Sequence, residues 1–136
     1  MNALKLFIVL AFTLALLDPY FVQGTYYVYV MNDLGPNEIL FIDCRSKDDR
    51  HYLPQRLPYG QEFIMDIEIN FFVTTLYWCN LDWKDKRGSF EIFNAKKELF
   101  KCGGGTEGDC FRKVRKDGIY YNEGNRDGDY WKKYSW

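Results

Sequence analysis

The chain is 136 residues long, with 18 Lys and Arg against 19 Asp and Glu and a formal net charge of −1. That balance excludes an electrostatic nucleic-acid binder, which needs an excess of basic residues, and the length fits one domain with one core. Aromatic residues make up 19%, a large apolar payload for a small chain.

Met1 to Gly24 reads as a secretory signal peptide: Lys5, an apolar run from Leu6 to Leu17, then Val22-Gln23-Gly24 with small or aliphatic residues before a cut. The run is short of the ~20 residues that a membrane-spanning helix needs, and no later segment comes closer, so no membrane span is expected. The mature chain starts near Thr25, and residues 25–136 form a single domain. All four cysteines, Cys44, Cys79, Cys102 and Cys110, fall within it. An even number in a chain addressed to an oxidising compartment reads as two disulfides.

Tyr26–Met31 is a first strand, closed by turn residues from Asn32 to Asn37. Ile39–Cys44 is a second, with Leu40, Ile42 and Cys44 inward. The charged run Arg45–His51 breaks the pattern, and Pro54, Pro58 and Gly60 leave the next segment irregular. Phe63–Asn70 alternates cleanly: Phe63, Met65, Ile67 and Ile69 point in, while Asp66, Glu68 and Asn70 point out. Thr74–Trp83 is the densest run of β-branched, aromatic and aliphatic residues after the leader. Tyr77, Cys79, Leu81 and Trp83 share one face and Leu76 and Trp78 the other, the pattern of an interior strand.

Lys84–Gly88 is a charged turn, Ser89–Phe93 a strand, and a bend at Ala95–Lys97 returns the chain as a strand over Leu99–Cys102. Gly103–Gly105 frees the backbone. Cys110–Val114 is a strand, and Asp117-Gly118 signals a hairpin into Ile119–Tyr121. About seven or eight short strands without a long helix imply an all-β fold, a small two-sheet antiparallel β-sandwich.

Catalytic and metal-binding patterns are thin. His51 is the single histidine, no Gly-x-Ser-x-Gly elbow occurs, and the cysteines are accounted for as bridges, so no nucleophile–base pair is expected. Asp66 and Glu68 lie on one polar strand face as ordinary solvated alternation. Asp127-Gly128-Asp129 lacks the rest of an EF-hand loop, and one histidine leaves a zinc site short of ligands. Gly103–Gly105 lacks the Gly-Lys-Ser/Thr ending of a phosphate loop. No enzyme activity, cofactor or metal is expected. Recognition then falls to loops carried by rigid strands: Arg45, Asp48, Asp49 and Arg50 after the second strand, and Lys84, Asp85 and Arg87 in the charged turn. The arginines suit carboxylates, and Asp48 is placed to cap backbone N–H groups of its own loop.

The order Cys44-Arg45-Ser46-Lys47-Asp48-Asp49, Thr74-Thr75-Leu76-Tyr77-Trp78-Cys79, Trp83, Phe90, Cys102, Cys110 and Asp117-Gly118-Ile119-Tyr120 resembles the plant self-incompatibility protein family, the S-protein homologues. The resemblance implies a small secreted β-sandwich held by two disulfides and acting as an extracellular signal. The best-known members are stigma-secreted ligands that arrest incompatible pollen through a pollen surface receptor. A cell-surface protein receptor is therefore the expected partner, and a monomer the expected form. The alternative is a secreted defence protein that acts on membranes or carbohydrate through an aromatic tail, Asn122–Trp136, carrying Tyr130, Trp131, Tyr134 and Trp136.

The chain departs from the family in three places. Arg50 leads directly to His51 where Asp-Leu-Gly is usual, Arg112 stands where an aromatic commonly follows the last cysteine by two residues, and the tail runs past the usual end. Of the three possible cysteine connectivities, Cys44–Cys110 with Cys79–Cys102 is preferred. A Cys102–Cys110 bridge would close only a short loop and restrict the unfolded chain less.

Overall fold

Nine strands follow one another along the chain in the computed structural model, which describes residues 24–104 and 106–136. They are β1 (Thr25–Asn32), β2 (Ile39–Ser46), β3 (Gln55–Pro58), β4 (Glu62–Glu68), β5 (Leu76–Trp83), β6 (Lys86–Asn94), β7 (Glu107–Arg115), β8 (Gly118–Asn122) and β9 (Trp131–Ser135), with one short helix, α1 (Ala95–Glu98), after β6. The signal-peptide reading lies outside the described residues, Gly24 excepted. Among the described residues no helix is long and apolar enough to cross a membrane.

The strands form a five-stranded sheet in the order β4-β1-β7-β8-β9 and a four-stranded sheet in the order β3-β2-β5-β6. Neighbours are antiparallel except β1 and β7, which run parallel from Thr25 opposite Glu107 to Asn32 opposite Val114. The inner faces are built by alternation. Tyr26, Val28 and Val30 of β1, Leu40, Ile42 and Cys44 of β2, and Met65 and Ile67 of β4 are all buried to 1% exposure or less. β5 lies between β2 and β6, with Tyr77, Cys79, Leu81 and Trp83 buried. A register shift between Tyr77 and Trp78 bulges the β5–β6 pair. It lets the consecutive residues Ile92 and Phe93 both reach the core at 0% exposure, which strict alternation forbids.

Four sequence expectations change. Residues Gln55–Pro58 are a strand, not an irregular segment: Pro54 lies just before it, Pro58 ends it, and β3 is an edge, where proline is tolerated. The charged turn is shorter than expected, because β6 already begins at Lys86. The expected strand over Leu99–Cys102 is absent; Asn94 instead caps α1 by accepting from the Lys96 N–H at 3.1 Å, and the chain leaves through turns. The aromatic tail is a ninth strand. Trp136 donates its indole N–H to the Arg115 carbonyl at 2.8 Å and packs edge-on against Phe90 with ring centres 5.7 Å apart, and the Tyr134 hydroxyl donates to the Glu91 carbonyl at 3.0 Å.

The disulfides also differ from the preferred pairing. They join Cys44 to Cys79 and Cys102 to Cys110, with no free cysteine among the described residues. Cys44 and Cys79 face each other directly in the β2–β5 register, with Cα atoms 4.0 Å apart, so the bridge staples neighbours within one sheet. Cys102 and Cys110 have Cα atoms 5.1 Å apart because Gly103 and Gly108 pair across the turn between them. A Cβ on Gly103 would come within 2.4 Å of the Glu107 carbonyl oxygen, so only glycine lets the two arms close. Loop entropy ranks bridges only where Cα geometry leaves a choice, and here the register leaves none.

Candidate functional site

The outer face of the four-stranded sheet is its most featured surface. Residues paired directly across antiparallel strands share a face, so the registers place Arg56, Phe41, Asp82 and Arg87 in one row running from β3 to β6. The row is internally matched: the Arg56 guanidinium lies 4.7 Å from the centre of the Phe41 ring, and Arg87 meets Asp82 at 3.0 Å. The next row holds Asp43, Asn80 and Ser89, and beyond it Arg45 lies opposite Trp78. These rows floor an open groove of about 680 Å³ lined by Phe41, Asp43, Arg56, Asn80, Asp82 and Arg87 among others. Phe41 keeps 42% of its surface exposed there.

The groove combines a rigid floor with unused hydrogen-bonding capacity. Asp43 is engaged at one edge, where His51 Nε2 lies 2.7 Å from Oδ1 and Arg45 reaches Oδ2 at 3.4 Å. The contact clamps residue 51 back onto β2 and gives the only histidine a structural post. Asn80, Ser89 and Gln55 make no side-chain hydrogen bond among the described residues, so their amides and hydroxyl are available to a partner.

The loop residues expected to carry recognition are divided by the topology. Ser46 pairs with Tyr77 and Phe41 with Asp82, so the turn after β2 and the turn after β5 lie at opposite ends of the sheet. Asp48, Asp49 and Arg50 occupy one end, and Lys84 and Asp85 the other; Arg45 and Arg87 lie on the face between them. Arg50 is a fastener: it donates to the Asp66 carbonyl and to Asp66 Oδ1, each at 2.6 Å, and stacks 4.5 Å from the centre of Tyr52. Burial alone would raise the Asp66 pKa, but the hydrogen bonds from Arg50 and from its own backbone, with the nearby positive charge, hold it below the usual range. Lys84 meets Glu38 at 3.0 Å, and Trp83 donates to the same carboxylate at 2.7 Å. Those two hydrogen bonds depress the Glu38 pKa.

The backbone cap assigned to Asp48 belongs to its neighbour. The Ser46 hydroxyl accepts from the Arg50 N–H at 2.9 Å, while Asp48 reaches only the Asn70 amide at 3.4 Å. Sequence reading missed Phe41, Arg56, Asn80 and Asp82. The available signal was an aromatic at an outward position, Phe41 between the inward Leu40 and Ile42.

Glu98, Cys102 and Cys110 bring a carboxylate and two sulfurs within 4.8 Å of one another. Both sulfurs are tied up in the disulfide, and a metal needs the thiolate, so the cluster is not a ligand set. Asp127 and Asp129 gain no third acidic or histidine neighbour at ligand spacing among the described residues.

Comparison with known proteins converges on one group. The family described as plant self-incompatibility protein S1 matches residues 27–136, which takes in the C-terminal strand and corrects the expectation of a tail beyond the usual end. S-protein homolog 24 of Arabidopsis thaliana is 35% identical over 71% of this chain, and the match spans 60% of that relative's length. Self-incompatibility protein S1 of Papaver rhoeas is 29% identical over 88% of this chain and 83% of its own. A solved structure of SPH (Self-Incompatibility Protein Homologue) proteins, described as small, highly stable, secreted proteins from plants, superposes with a TM-score of 0.57 at 18% identity. It covers 79% of this chain and 91% of that one.

Proposed function

The chain belongs to the plant self-incompatibility S1 family, and on that premise we propose that it is a small secreted signalling protein, a non-enzymatic ligand for a cell-surface protein receptor that acts as a monomer. Secretion agrees with the pairing of all four cysteines, which an oxidising compartment permits.

The observation that carries the receptor reading is the groove on the outer sheet face. Arg56 and Arg87 bracket Phe41 and Asp82 in a row fixed by strand pairing, and the amide of Asn80 stands beside it with no partner among the described residues. Planar guanidinium groups, an aromatic face and a free amide on a rigid sheet are what a protein partner's carboxylates and loops bind against. Arg45 joins this surface from the next rows, and Asp48, Asp49, Lys84 and Asp85 rim its two ends.

Receptor capture from the tissue that secretes the protein, followed by binding measurements on variants, tests the reading. Arg56→Glu, Arg87→Glu and Asn80→Ala should each weaken binding at least several-fold with the fold intact. Undiminished binding in all three moves the contact surface away from this sheet. In the aromatic tail Tyr134 and Trp136 pack against Phe90 while Trp131 stays 43% exposed, so the defence reading keeps only part of the aromatic surface it was drawn from.

A further inference from the structure

Three exposed phenylalanines gather at one end of the sandwich. Phe71 and Phe72 are 59% and 78% exposed in the turn between β4 and β5, and Phe100, after α1, is 81% exposed. The Ala95 N–H donates to the Thr75 carbonyl at 2.9 Å, which ties the turn to the start of α1 and puts both protrusions at that end.

The turn is rigidly built. The Asn70 side chain accepts from the Thr74 N–H at 2.8 Å and donates to Thr74 Oγ1 at 2.9 Å, while the Asn70 N–H donates to Thr75 Oγ1 at 2.8 Å. Val73 is held at φ 56°, a left-handed conformation that a β-branched residue adopts only under constraint. Phe71 and Phe72 meet edge to face with ring centres 5.1 Å apart, and most of their surface is left in water. A strained turn braced by the Asn70 side chain that holds two aromatic rings outward is suited to presenting them.

Over Ala95–Lys101 the exposed charges are basic, and the exposed acids Glu107 and Glu123 lie nearby. Lys96, Lys97 and Lys101 are exposed, while the one acid of that stretch, Glu98, turns inward onto Arg112 at 2.7 Å. Lys97 reaches Glu91 at 3.5 Å; Lys96 and Lys101 form no ion pair among the described residues. Lys47 is also exposed at this end, beside Asp48 and Asp49.

We propose that this end of the sandwich docks on an anionic lipid surface, with Phe71, Phe72 and Phe100 entering the boundary between headgroups and acyl chains and Lys96, Lys97 and Lys101 meeting the phosphates. None of the three rings lines a described groove. A pair of touching rings and a third on another loop offer a rigid protein partner little contiguous area, whereas a fluid interface accepts each projection by itself. Neither the three rings nor Lys96, Lys97 and Lys101 line the groove, so lipid docking and receptor binding are tested by different residues.

Flotation of the mature, disulfide-bonded protein with vesicles tests the proposal, using phosphatidylcholine alone and phosphatidylcholine mixed with phosphatidylglycerol. The protein should bind the anionic vesicles and bind the neutral ones more weakly. Phe71→Ser with Phe72→Ser should lower partitioning about tenfold or more, and Lys96→Glu with Lys101→Glu several-fold on anionic vesicles only. Leu53→Ser, at a residue 80% exposed on the flank, should change nothing. In Phe72→Trp the indole emission should shift to the blue on vesicles and be quenched by brominated acyl chains. Unchanged melting temperatures exclude misfolding of the variants. No binding by the wild-type protein, binding indifferent to the Phe71 and Phe72 changes, or an indole that stays in water would each overturn the proposal. So would a loss of receptor binding in the Phe variants without any vesicle binding, which would assign the turn to a protein contact.

Discussion

Arg112 of β7 and Glu98 of α1 meet at 2.7 Å with the arginine side chain only 1% exposed. The guanidinium also donates to the Ile92 and Phe111 carbonyls, each at 3.1 Å, and stacks 3.6 Å from the centre of the Tyr121 ring. A cation therefore fills a core position, and its partners come from the opposite sheet, its own strand, the helix and the neighbouring strand. No buried side-chain polar atom is left unpaired among the described residues. Arg112→Met should cost about 3–5 kcal/mol in urea unfolding, because it strands Glu98. Arg112→Leu combined with Glu98→Leu should recover most of that loss.

The same pair sets a pH dependence. Burial pushes the Glu98 pKa up, and the attraction of Arg112 only partly offsets it. The native chain thus takes up this proton at a higher pH than the unfolded chain does. The stabilisation from Glu98 is complete below the unfolded pKa of about 4.3 and is lost as pH rises through the higher native value. Glu98→Gln should flatten the fall in melting temperature that sets in as pH rises above about 4. An identical slope in the variant would mean that other carboxylates set it.

The two disulfides should contribute unequally. Cys44–Cys79 spans a sequence separation of 35 and Cys102–Cys110 one of 8. The chain-entropy relation gives about 4 kcal/mol for the longer loop and about 2.5 kcal/mol for the shorter. Paired Cys→Ala variants compared by chemical unfolding at one pH should keep that order.

Charge reversal should separate Arg50 from Arg87. Arg50→Glu puts a carboxylate against Asp66 and removes the stack on Tyr52, so it should lower stability by about 1 kcal/mol. Arg87→Glu, at a side chain 80% exposed, should shift the melting temperature little. Thermal unfolding of the two variants side by side checks this, and an equal loss would show that Arg87 braces the sheet.

Much of the fold was legible because one face of most strands is dry. Phe63, Met65, Ile67 and Ile69 alternate with polar residues, and each is buried at 5% or less. The strands that escaped notice are edges: β3 begins Gln55-Arg56 and β9 runs Trp131-Lys132-Lys133-Tyr134-Ser135, and neither has a run of inward positions to betray it. The groove escaped for a related reason. Its residues occupy the outward half of the alternation, where sequence shows only that a residue is wet, and Arg56, Phe41, Asp82 and Arg87 become a row only once three registers are known. Arg112 looked like a departure from the family with no visible compensation, since its partners Glu98, Ile92 and Tyr121 are brought to it by packing alone.

The parallel pairing of β1 with β7 has a kinetic consequence. The first strand lies between β4 and a strand that ends at Arg115, so the five-stranded sheet cannot close until nearly the whole chain is available. Contact order is correspondingly high, and folding belongs in the millisecond-to-second range typical of β-sandwiches. While the nascent chain waits, Tyr26, Val28 and Val30 have no permanent neighbour on the β7 side, and that unpaired edge is where chaperone binding or aggregation would compete with folding.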